Sequence, residues 1–243
     1  MDIRGKIALI TGSAKRIGRA AAIELAGRGA RIAVHYRSSE HQARETLQSI
    51  RQAGSDGVIV QADLVDTHEI DRMFKEIQEK LGGLDILVNS ASVFNTGTVS
   101  DATPEHWDSQ IDANARAPFF IAQNAARMMM TRGHGKIVNI VDVAGEIIWP
   151  GYFAYSVSKA ALIAVNRGLA KAYAPSIQVN GIAPGPVLFP EHYTDAEKKS
   201  AIDRTLLKRA GSPIDVVNAI VFFIENDYIT GEVLHVDGGR HIM

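Results

Sequence analysis

The sequence predicts an α/β protein whose doubly wound parallel sheet of seven strands carries helices on both faces. Two observations predict this fold class. Short β-branched runs alternate with longer helical stretches along the chain, and 243 residues with 46% hydrophobic content supply an ample core. Alternation of this kind makes βαβ units, whose right-handed crossovers give a doubly wound sheet.

The elements follow one another without a linker, repeat or low-complexity tract, so residues 1–243 are expected to form a single domain. The predicted strands span 6–11, 31–36, 58–61, 85–89, 136–141, 177–182 and 233–236. The predicted helices span 17–28, 40–53, 67–80, 104–130, 153–174 and 213–225. The longest irregular stretch, 183–200, carries three prolines, and we expect a substrate loop near 183–210 that acts as a lid.

Composition and charge exclude several functional classes. A net charge of −1 gives no field that attracts nucleic acid or anionic lipid, and the first apolar run is too short for a membrane span. The chain has no cysteine, which removes thiolate chemistry and suits a cytoplasmic location. Its eight histidines form no metal-binding pattern, so we expect no metal site. The expected partner is a small-molecule substrate.

A glycine-containing turn joins the first strand to the first helix in the segment IALITGSAKRIGRAA. Gly12 permits a tight turn, and Gly18 permits the backbone to approach a pyrophosphate at the helix N-terminus. An ordinary strand–helix turn is the alternative. The position at the start of a βαβ unit favours a dinucleotide site.

The end of the second strand indicates which dinucleotide is bound. An acidic residue there would bind the ribose of NAD, but this segment reads AVHYRSSE. Arg37 can form a bidentate pair with a 2′-phosphate, and the hydroxyls of Ser38 and Ser39 can donate to it. Arg16 adds a second positive charge in the glycine turn. These residues favour NADPH over NADH, and a solvated surface charge is the alternative for Arg37.

Two further polar residues follow strands. Asp63 could accept a hydrogen bond from an adenine amino group, and the side chain of Asn89 could brace neighbouring strand ends. Residues of both types also cap turns, which is the alternative for each.

A phenol, an ammonium and a carboxylate are spaced so that they can meet. Tyr155 and Lys159 are four residues apart on a predicted helix and therefore share one face. The ammonium of Lys159 is expected to lower the pKa of the Tyr155 phenol from about 10, which makes a general acid. Asp142 stands thirteen residues before Tyr155, at the end of an apolar run. An exposed aromatic–cation pair is the alternative for Tyr155 and Lys159.

Asn114 and Pro118 lie within the predicted helix 104–130. Proline has no N–H, so the carbonyl of Asn114 should lack its helical partner. We expect that carbonyl to hold an ordered water that leads a proton relay towards Lys159. A kinked packing helix is the alternative.

Together these residues resemble the short-chain dehydrogenase/reductase family, whose fold is of the Rossmann type. The resemblance covers essentially the whole chain and rests on TGSAKRIG, DILVNSAS, Asn114, YSVSK, VNGIAPGPV and ITGEVLHVDGG, in the expected order. Two departures are informative: Arg16 replaces a glycine of the turn, and Asp142 replaces the usual catalytic serine. With HYRSS, NSASVF and the tail VDGGRHIM, they resemble the pteridine and dihydromonapterin reductase branch.

This resemblance implies NADPH-dependent reduction of a pterin ring, with folate-like and biopterin-like substrates both open. A ketone oxygen needs a hydroxyl donor, whereas pterin nitrogens and the exocyclic amine can bond a carboxylate or take a proton from its acid form. Burial of Asp142 among Val141, Val143 and Ile147 would raise its pKa and favour that acid form.

The resemblance also implies roles for individual residues. The expected catalytic residues are Asp142, Tyr155, Lys159 and Asn114. The expected cofactor-binding residues are Gly12, Arg16, Ile17, Gly18, Tyr36, Arg37, Ser38, Ser39, Asp63, Leu64, Asn89, Ala91, Tyr155, Lys159, Pro184, Gly185 and Val187. The expected substrate-binding residues are Arg16, Ser92, Phe94, Asp142, Tyr155, Leu188 and Phe189. Phe94 would stack the pterin against the nicotinamide, with simple loop packing as the alternative.

Two other functions stay open. Asp142 disfavours a carbonyl reductase such as a 3-oxoacyl-thioester reductase, and a non-catalytic NADP(H)-binding sensor would not need Tyr155 and Lys159.

The resemblance further implies a homo-oligomer, a dimer or tetramer, built on helices 104–130 and 153–174. Their small residues, which could instead pack within the protomer, are Ala115, Ala117, Ala160, Ala161, Ala164 and Gly168.

Overall fold

Seven parallel strands form a sheet at the centre of the molecule, in the order β3-β2-β1-β4-β5-β6-β7. The computed structural model describes residues 1–191 and 193–243, so His192 of the predicted substrate loop lies outside the described residues. The strands are β1 (Ile7–Ile10), β2 (Arg31–Tyr36), β3 (Gly57–Gln61), β4 (Ile86–Asn89), β5 (Gly135–Ile140), β6 (Ile177–Pro184) and β7 (Val233–Val236). The predicted fold class is confirmed, and the predicted strand boundaries agree with these to within about two residues.

Helices connect the strands and cover both faces of the sheet. They are α1 (Arg16–Gly27), α2 (Glu40–Gln52), α3 (Thr67–Leu81), α4 (Pro104–Ile111), α5 (Ala117–Thr131), α6 (Phe153–Tyr173), α7 (Asp195–Asp203) and α8 (Pro213–Glu225). Short 3-10 turns lie at Val143–Gly145 and Arg240–Ile242.

Two hydrophobic layers lie on the two faces of the sheet. Side chains alternate along each strand, so Ile10 of β1 packs into one layer and Leu9 packs into the other. The first layer includes residues of α1, α2 and α8, and the second includes residues of α3, α5 and α6. Because both faces are covered, every residue of β1, β4 and β5 is buried.

The strand order reverses at β1, which pairs with β2 on one side and β4 on the other. In doubly wound sheets the ligand binds outside the carboxyl ends of the strands at such a reversal. All strands are parallel, so the segments that follow β1, β2, β4, β5 and β6 meet at this edge. The topology therefore collects the predicted site residues on one side of the molecule.

The predicted continuous helix 104–130 is wrong, because the helix is interrupted in the middle. α4 ends at Ile111, a π-helical turn spans Asp112–Arg116, and α5 begins at Ala117. The N–H of Ala117 donates to the carbonyl of Asp112, five residues back. Pro118 has no N–H to donate to the carbonyl of Asn114, so the regular pattern cannot pass this point.

The stretch 183–200, predicted to be irregular, contains a strand end and a helix. β6 extends to Pro184, and α7 begins after Thr194. A capping box starts α7: Thr194 Oγ1 accepts the N–H of Glu197 (3.3 Å), and the Glu197 carboxylate accepts the N–H of Thr194 (2.7 Å). None of the residues of α7 is buried, so the capping box, rather than packing in the hydrophobic core, stabilises this helix.

Candidate active site

A large cavity of about 920 Å³ opens at the carboxyl ends of the strands. Its volume is in the range of about 300–1,000 Å³ that small-molecule sites occupy. The predicted site residues that line it are Gly12, Arg16, Ile17, Gly18, Tyr36, Arg37, Ser38, Ser39, Asp63, Leu64, Ala91, Ser92, Phe94, Asp142, Tyr155, Lys159, Pro184, Gly185, Val187, Leu188 and Phe189. The structure thus brings together residues that are up to 177 positions apart, from Gly12 to Phe189.

The turn between β1 and α1 leaves room only for glycine at two positions. A Cβ atom on Gly18 would lie 2.7 Å from the carbonyl oxygen of Gly12. Gly12 itself has a φ of +66°, and a Cβ atom there would lie 3.0 Å from the Cα of Ala91. This close packing positions the N-terminus of α1 beside the cavity, where its unpaired backbone N–H groups can bind a phosphate group.

Arg16 joins the glycine turn to the segment that follows β6. Its Nη2 donates a hydrogen bond of 2.6 Å to the carbonyl of Leu188. Its backbone has a φ of +56°, a conformation that favours glycine. The side chain is exposed and lies on the cavity wall between the dinucleotide turn and the predicted substrate loop.

His35 holds the same turn from β2, a role that no sequence motif indicated. Its Nδ1 accepts the N–H of Gly12 (3.0 Å), and its Nε2 donates to the carbonyl of Ala62 (3.1 Å). The ring is buried, and this burial lowers the pKa of His35 to about 4. The neutral imidazole therefore ties the glycine turn to β2 and to the end of β3.

The residues after β2 present polar groups to the cavity. The side chains of Arg37 and Ser38 are exposed there. Ser39 is the N-cap residue of α2, yet its side chain makes no capping hydrogen bond. Asp63 lines the cavity after β3, where its Oδ1 accepts the N–H of Val65 (3.1 Å) in a turn. Asp63 therefore caps a turn, which was the alternative to its binding of an adenine amino group.

Asp142, Tyr155 and Lys159 meet at the floor of the cavity. The Tyr155 hydroxyl donates to Asp142 Oδ2 over 2.7 Å, and the N–H of Ala144 donates to Asp142 Oδ1 over 2.8 Å. Lys159 Nζ donates to the carbonyl of Ile140 at the end of β5 (3.0 Å) and lies 5.7 Å from the Tyr155 ring centroid. The carboxylate, rather than the ammonium, is therefore the direct partner of the phenol.

This geometry raises the pKa of both partners in the Asp142–Tyr155 pair. Burial raises the pKa of Asp142 despite the opposing hydrogen bonds from Ala144 and Tyr155. Burial, followed by the negative charge of Asp142, raises the pKa of Tyr155 well above its ordinary value. The expectation that Lys159 lowers the pKa of Tyr155 is therefore wrong for this structure. Burial also lowers the pKa of Lys159 to about 8.

Aromatic rings form one wall of the cavity beside this pair. Phe94 stacks on Tyr152 with ring centroids 4.3 Å apart, and its ring meets Tyr155 edge-on at 4.7 Å. The hydroxyls of Tyr152 and Tyr193 lie 2.9 Å apart, and Tyr193 stacks with Phe189 at 6.3 Å. Phe94 therefore lies beside the phenol, and one face of its ring packs on Tyr152, which is the loop packing that was its alternative.

Asn89 and Asn114, both predicted site residues, do not line the cavity. Asn89 is buried between strands, where its Nδ2 donates to Asn139 Oδ1 (2.9 Å). Asn114 Oδ1 accepts from Ser92 Oγ and from the N–H of Val93, both over 2.9 Å. The side chain of Asn89 braces β4 against β5, as expected, and its role in cofactor binding stays a prediction. The side chain of Asn114 holds the loop that carries Ser92.

The cavity is also lined by residues that the prediction did not include. The clearest are Tyr152, Tyr193, Trp149, Arg204 and Arg240. Arg240 reaches the cavity from the last residues of the chain, so no local pattern pointed to it. Within residues 1–191 and 193–243, no group of three or more His, Cys, Asp or Glu side chains could hold a metal ion, and no helix is long and apolar enough to cross a membrane.

Comparison with known proteins establishes the family. The family model described as enoyl-(acyl carrier protein) reductase, adh_short_C2, matches residues 12–241. The 3-oxoacyl-[acyl-carrier-protein] reductase of Staphylococcus aureus is 32% identical over 242 residues, with 98% of each chain covered. The chain therefore belongs to the short-chain dehydrogenase/reductase family.

Two solved structures are similar along nearly their full length. The angucycline C-6 ketoreductase LanV with bound NADP has a TM-score of 0.93 and 30% identity, and covers 100% of this chain and 98% of its own. The FolM alternative dihydrofolate reductase 1 of Brucella canis, complexed with NADP, has a TM-score of 0.91 and 31% identity, and covers 100% and 97%.

Proposed function

We propose that this protein is an NADPH-dependent reductase that transfers hydride to a pterin ring of the dihydropterin, dihydromonapterin or biopterin type. The observation that carries the proposal is the 2.7 Å hydrogen bond from the Tyr155 hydroxyl to Asp142 Oδ2 on the cavity floor. A carboxyl group at this position, in place of a serine hydroxyl, suits a substrate edge made of ring nitrogens and an amine.

The residues present fit NADPH as the cofactor. The close packing of Gly12 and Gly18 leaves space for a pyrophosphate at the start of α1. Arg37, Ser38 and Ser39 line the cavity where a 2′-phosphate would lie, and both similar structures carry NADP according to their descriptions. NADPH, when bound, supplies the hydride.

The proton comes from the Asp142–Tyr155 pair. Because burial raises the pKa of Asp142, its acid form persists to a higher pH than that of an exposed carboxyl group. The acid form can donate its proton to a ring nitrogen, and the Tyr155 hydroxyl, through its existing hydrogen bond, stabilises the carboxylate that remains. Lys159, held by the carbonyl of Ile140, stabilises the negative charge that results.

Two supporting features belong to the same proposal. The carbonyl of Asn114 begins a water relay that returns a proton towards Lys159, since Pro118 cannot supply the regular helical donor. The aromatic wall of Phe94, Tyr152 and Tyr193 suits a planar heterocycle, because an aromatic surface can pack on one face of the substrate and exclude water from it.

A homo-oligomer is also proposed, with α6 in its interface. Ala164 and Gly168 are exposed on α6 and would let another helix approach closely. Ala115 and Ala117 are buried within the protomer, so they are excluded from such a surface.

A carbonyl reductase is the second candidate function, because two of the similar proteins are described as a 3-oxoacyl reductase and a ketoreductase. In that case the acid form of Asp142 would replace the missing serine as a hydrogen-bond donor to the carbonyl oxygen. The ionised form cannot donate, so carbonyl reduction would fade as the pH rises through the pKa of Asp142.

NADPH consumption by the purified protein tests the proposal, with a dihydropterin, biopterin, dihydrofolate and an acetoacetyl thioester as substrates. We expect turnover of a dihydropterin, and a loss of about 10²–10⁴-fold in kcat in Tyr155→Phe. Tyr228→Phe, at a fully exposed tyrosine, is the matched control and should keep wild-type activity. Turnover of the thioester alone would assign carbonyl reduction instead. NADPH binding without any turnover would assign a sensor.

A further inference from the structure

Two buried donors beside the cavity have no acceptor. Within the part of the chain that the structure describes, Arg240 Nε and Trp149 Nε1 are buried without a hydrogen-bond partner. Both residues line the cavity, and the Arg240 guanidinium lies over the Trp149 ring, 4.8 Å from its centroid. Buried N–H groups are rarely left unsatisfied in proteins, so two in contact with each other mark a place where a ligand supplies the acceptor.

The C-terminal turn holds Arg240 in this position. Asp237 Oδ1 accepts the N–H of Gly239 (2.9 Å), and Asp237 Oδ2 accepts the N–H of His241 (2.8 Å). These two bonds fix the residues on either side of Arg240, whose Nη1 donates to the carbonyl of Ala201 in α7 (3.0 Å). The residue Arg240 is only 9% exposed, so contacts with the surrounding protein determine where its side chain lies.

The charge of Arg240 is not balanced by a direct carboxylate partner. Among the described residues, neither Arg240 nor its neighbour Arg204 forms an ion pair, although both line the cavity. The positive charge of Arg204 opposes that of Arg240. The two carboxylates whose charge favours Arg240 have other direct partners: Asp142 is bonded to Tyr155, and Asp237 is bonded to the backbone of the C-terminal turn. Buried charges in proteins are normally paired, so the Arg240 guanidinium has capacity to bind an anion directly.

We propose that Arg240, Trp149 and Arg204 form a subsite for a carboxylate carried by the substrate. This inference rests on the proposed pterin function and deepens it: the preferred substrates are pterins with an acidic substituent rather than those with a neutral side chain. Arg240 and Trp149 supply N–H donors to the carboxylate oxygens, and the two guanidinium groups supply the charge. Arg240 is a specificity-determining residue and takes no part in hydride or proton transfer.

Calorimetric binding to the NADP⁺-loaded protein tests the subsite with two acid–alcohol pairs. The first pair is pterin-6-carboxylate and 6-hydroxymethylpterin, and the second, which has no pterin ring, is benzoate and benzyl alcohol. We expect the wild-type protein to bind each acid more tightly than its alcohol. Arg240→Gln should weaken binding of the acids by about 30-fold or more and leave the alcohols within about threefold. Trp149→Phe, which keeps an aromatic ring, should weaken the acids by a smaller factor. Arg209→Gln, an exposed arginine outside the cavity, is the control and should keep the acid preference.

The outcomes separate this inference from the proposed function. An acid preference in the benzoate pair that Arg240→Gln removes, with no binding of either pterin, would keep the subsite and discard the pterin function. Equal binding of both pterins, with turnover of dihydropterins and no acid preference in either pair, would discard the subsite and keep the function. Equal weakening of acids and alcohols in both Arg240→Gln and Trp149→Phe would show a structural role only and overturn the proposal.

Discussion

Arg16 occupies a left-handed backbone conformation (φ +56°) at a position of the turn where the family resemblance predicts glycine. A non-glycine residue there is strained by about 1–2 kcal/mol, because its Cβ atom approaches the following carbonyl. The hydrogen bond from Arg16 Nη2 to the carbonyl of Leu188 offsets part of this strain. The contact made by the Arg16 side chain therefore favours arginine at this position, whereas the backbone conformation favours glycine.

The strain at residue 16 can be separated from the function of the side chain. Arg16→Gly and Arg16→Ala both remove the bond to Leu188, but only the glycine variant relaxes the backbone. We expect Arg16→Ala to be less stable than Arg16→Gly by about 1 kcal/mol in urea unfolding. Both variants should show a raised KM for NADPH. Equal stabilities of the two variants would mean that residue 16 carries no backbone strain.

At the scale of elements, α7 and α8 have similar N-terminal caps but differ in how much of each helix is buried in the core. Both begin with a capping box, Thr194 with Glu197 and Ser212 with Asp215. α7 has no buried residue, whereas α8 buries seven of its thirteen residues in the core. Residues Ser200 and Ala201 of α7 also line the cavity. α7 is therefore the element whose local stability is coupled to substrate binding rather than to folding.

Removal of the cap of α7 should change the KM for substrate, whereas removal of the cap of α8 should change the free energy of unfolding. Thr194→Ala should leave the free energy of unfolding within about 0.5 kcal/mol of wild type, while the KM for substrate rises and amide exchange in 195–203 accelerates. Ser212→Ala should lower the free energy of unfolding by about 1 kcal/mol and leave KM unchanged. A large loss of global stability in Thr194→Ala would show that α7 belongs to the cooperative core.

Prediction from sequence worked best for elements that the core defines. β2, β7 and α8 have the predicted boundaries, and β2 and α8 bury most of their residues in the core. α7 escaped prediction because it buries nothing and so lacks apolar periodicity, although Thr194 and Glu197 carried its capping signal. The π turn at 112–116 was missed because Pro118 was expected only to leave the Asn114 carbonyl without its helical partner, not to shift the hydrogen-bonding pattern.

At the scale of the whole molecule, the site is assembled from contacts that sequence spacing does not encode. The cavity residues were predictable where a family motif marked them, as with Asp142 and Tyr155. His35 and Arg240 were missed because their roles depend on partners brought close by the fold: Gly12 for the first, and Trp149 and Ala201 for the second. Tertiary packing also reversed the expected pKa shift of Tyr155, since Asp142 became its direct partner.

His35 makes the stability of the whole protein depend on pH. Burial lowers the pKa of His35 to about 4, whereas an unfolded histidine titrates near 6.5. Between these values the unfolded state binds more protons, so this contribution is fully present above about pH 6.5 and is lost as the pH falls towards 4. The raised pKa of Asp142 changes stability in the opposite direction at acidic pH. Because Asp142 is present in both wild type and a His35 variant, the difference in their free energies of unfolding isolates the contribution of His35.

We therefore compare wild type with His35→Gln in urea unfolding between pH 4 and 7. The stability of wild type should fall relative to the variant by about 1.4 kcal/mol for each unit of pH below 6.5. At pH 7 the variant should be less stable by about 1–3 kcal/mol, because Gly12 and Ala62 lose buried hydrogen-bond partners. His41→Gln, at an exposed residue of α2, is the control. A constant difference across the range would show that His35 does not stay neutral in the folded protein.

The ratio of kcat/KM for a dihydropterin to kcat/KM for an acetoacetyl thioester, in wild type and in Asp142→Ser, tests the central claim most directly. We predict that wild type favours the dihydropterin. The serine variant should lose about 10²–10⁴-fold of that activity and gain thioester reduction, because a hydroxyl donor replaces the carboxyl group beside Tyr155. Undiminished dihydropterin turnover in Asp142→Ser, or a wild-type protein that prefers the thioester, would contradict the assignment of Asp142 as the residue that selects a pterin.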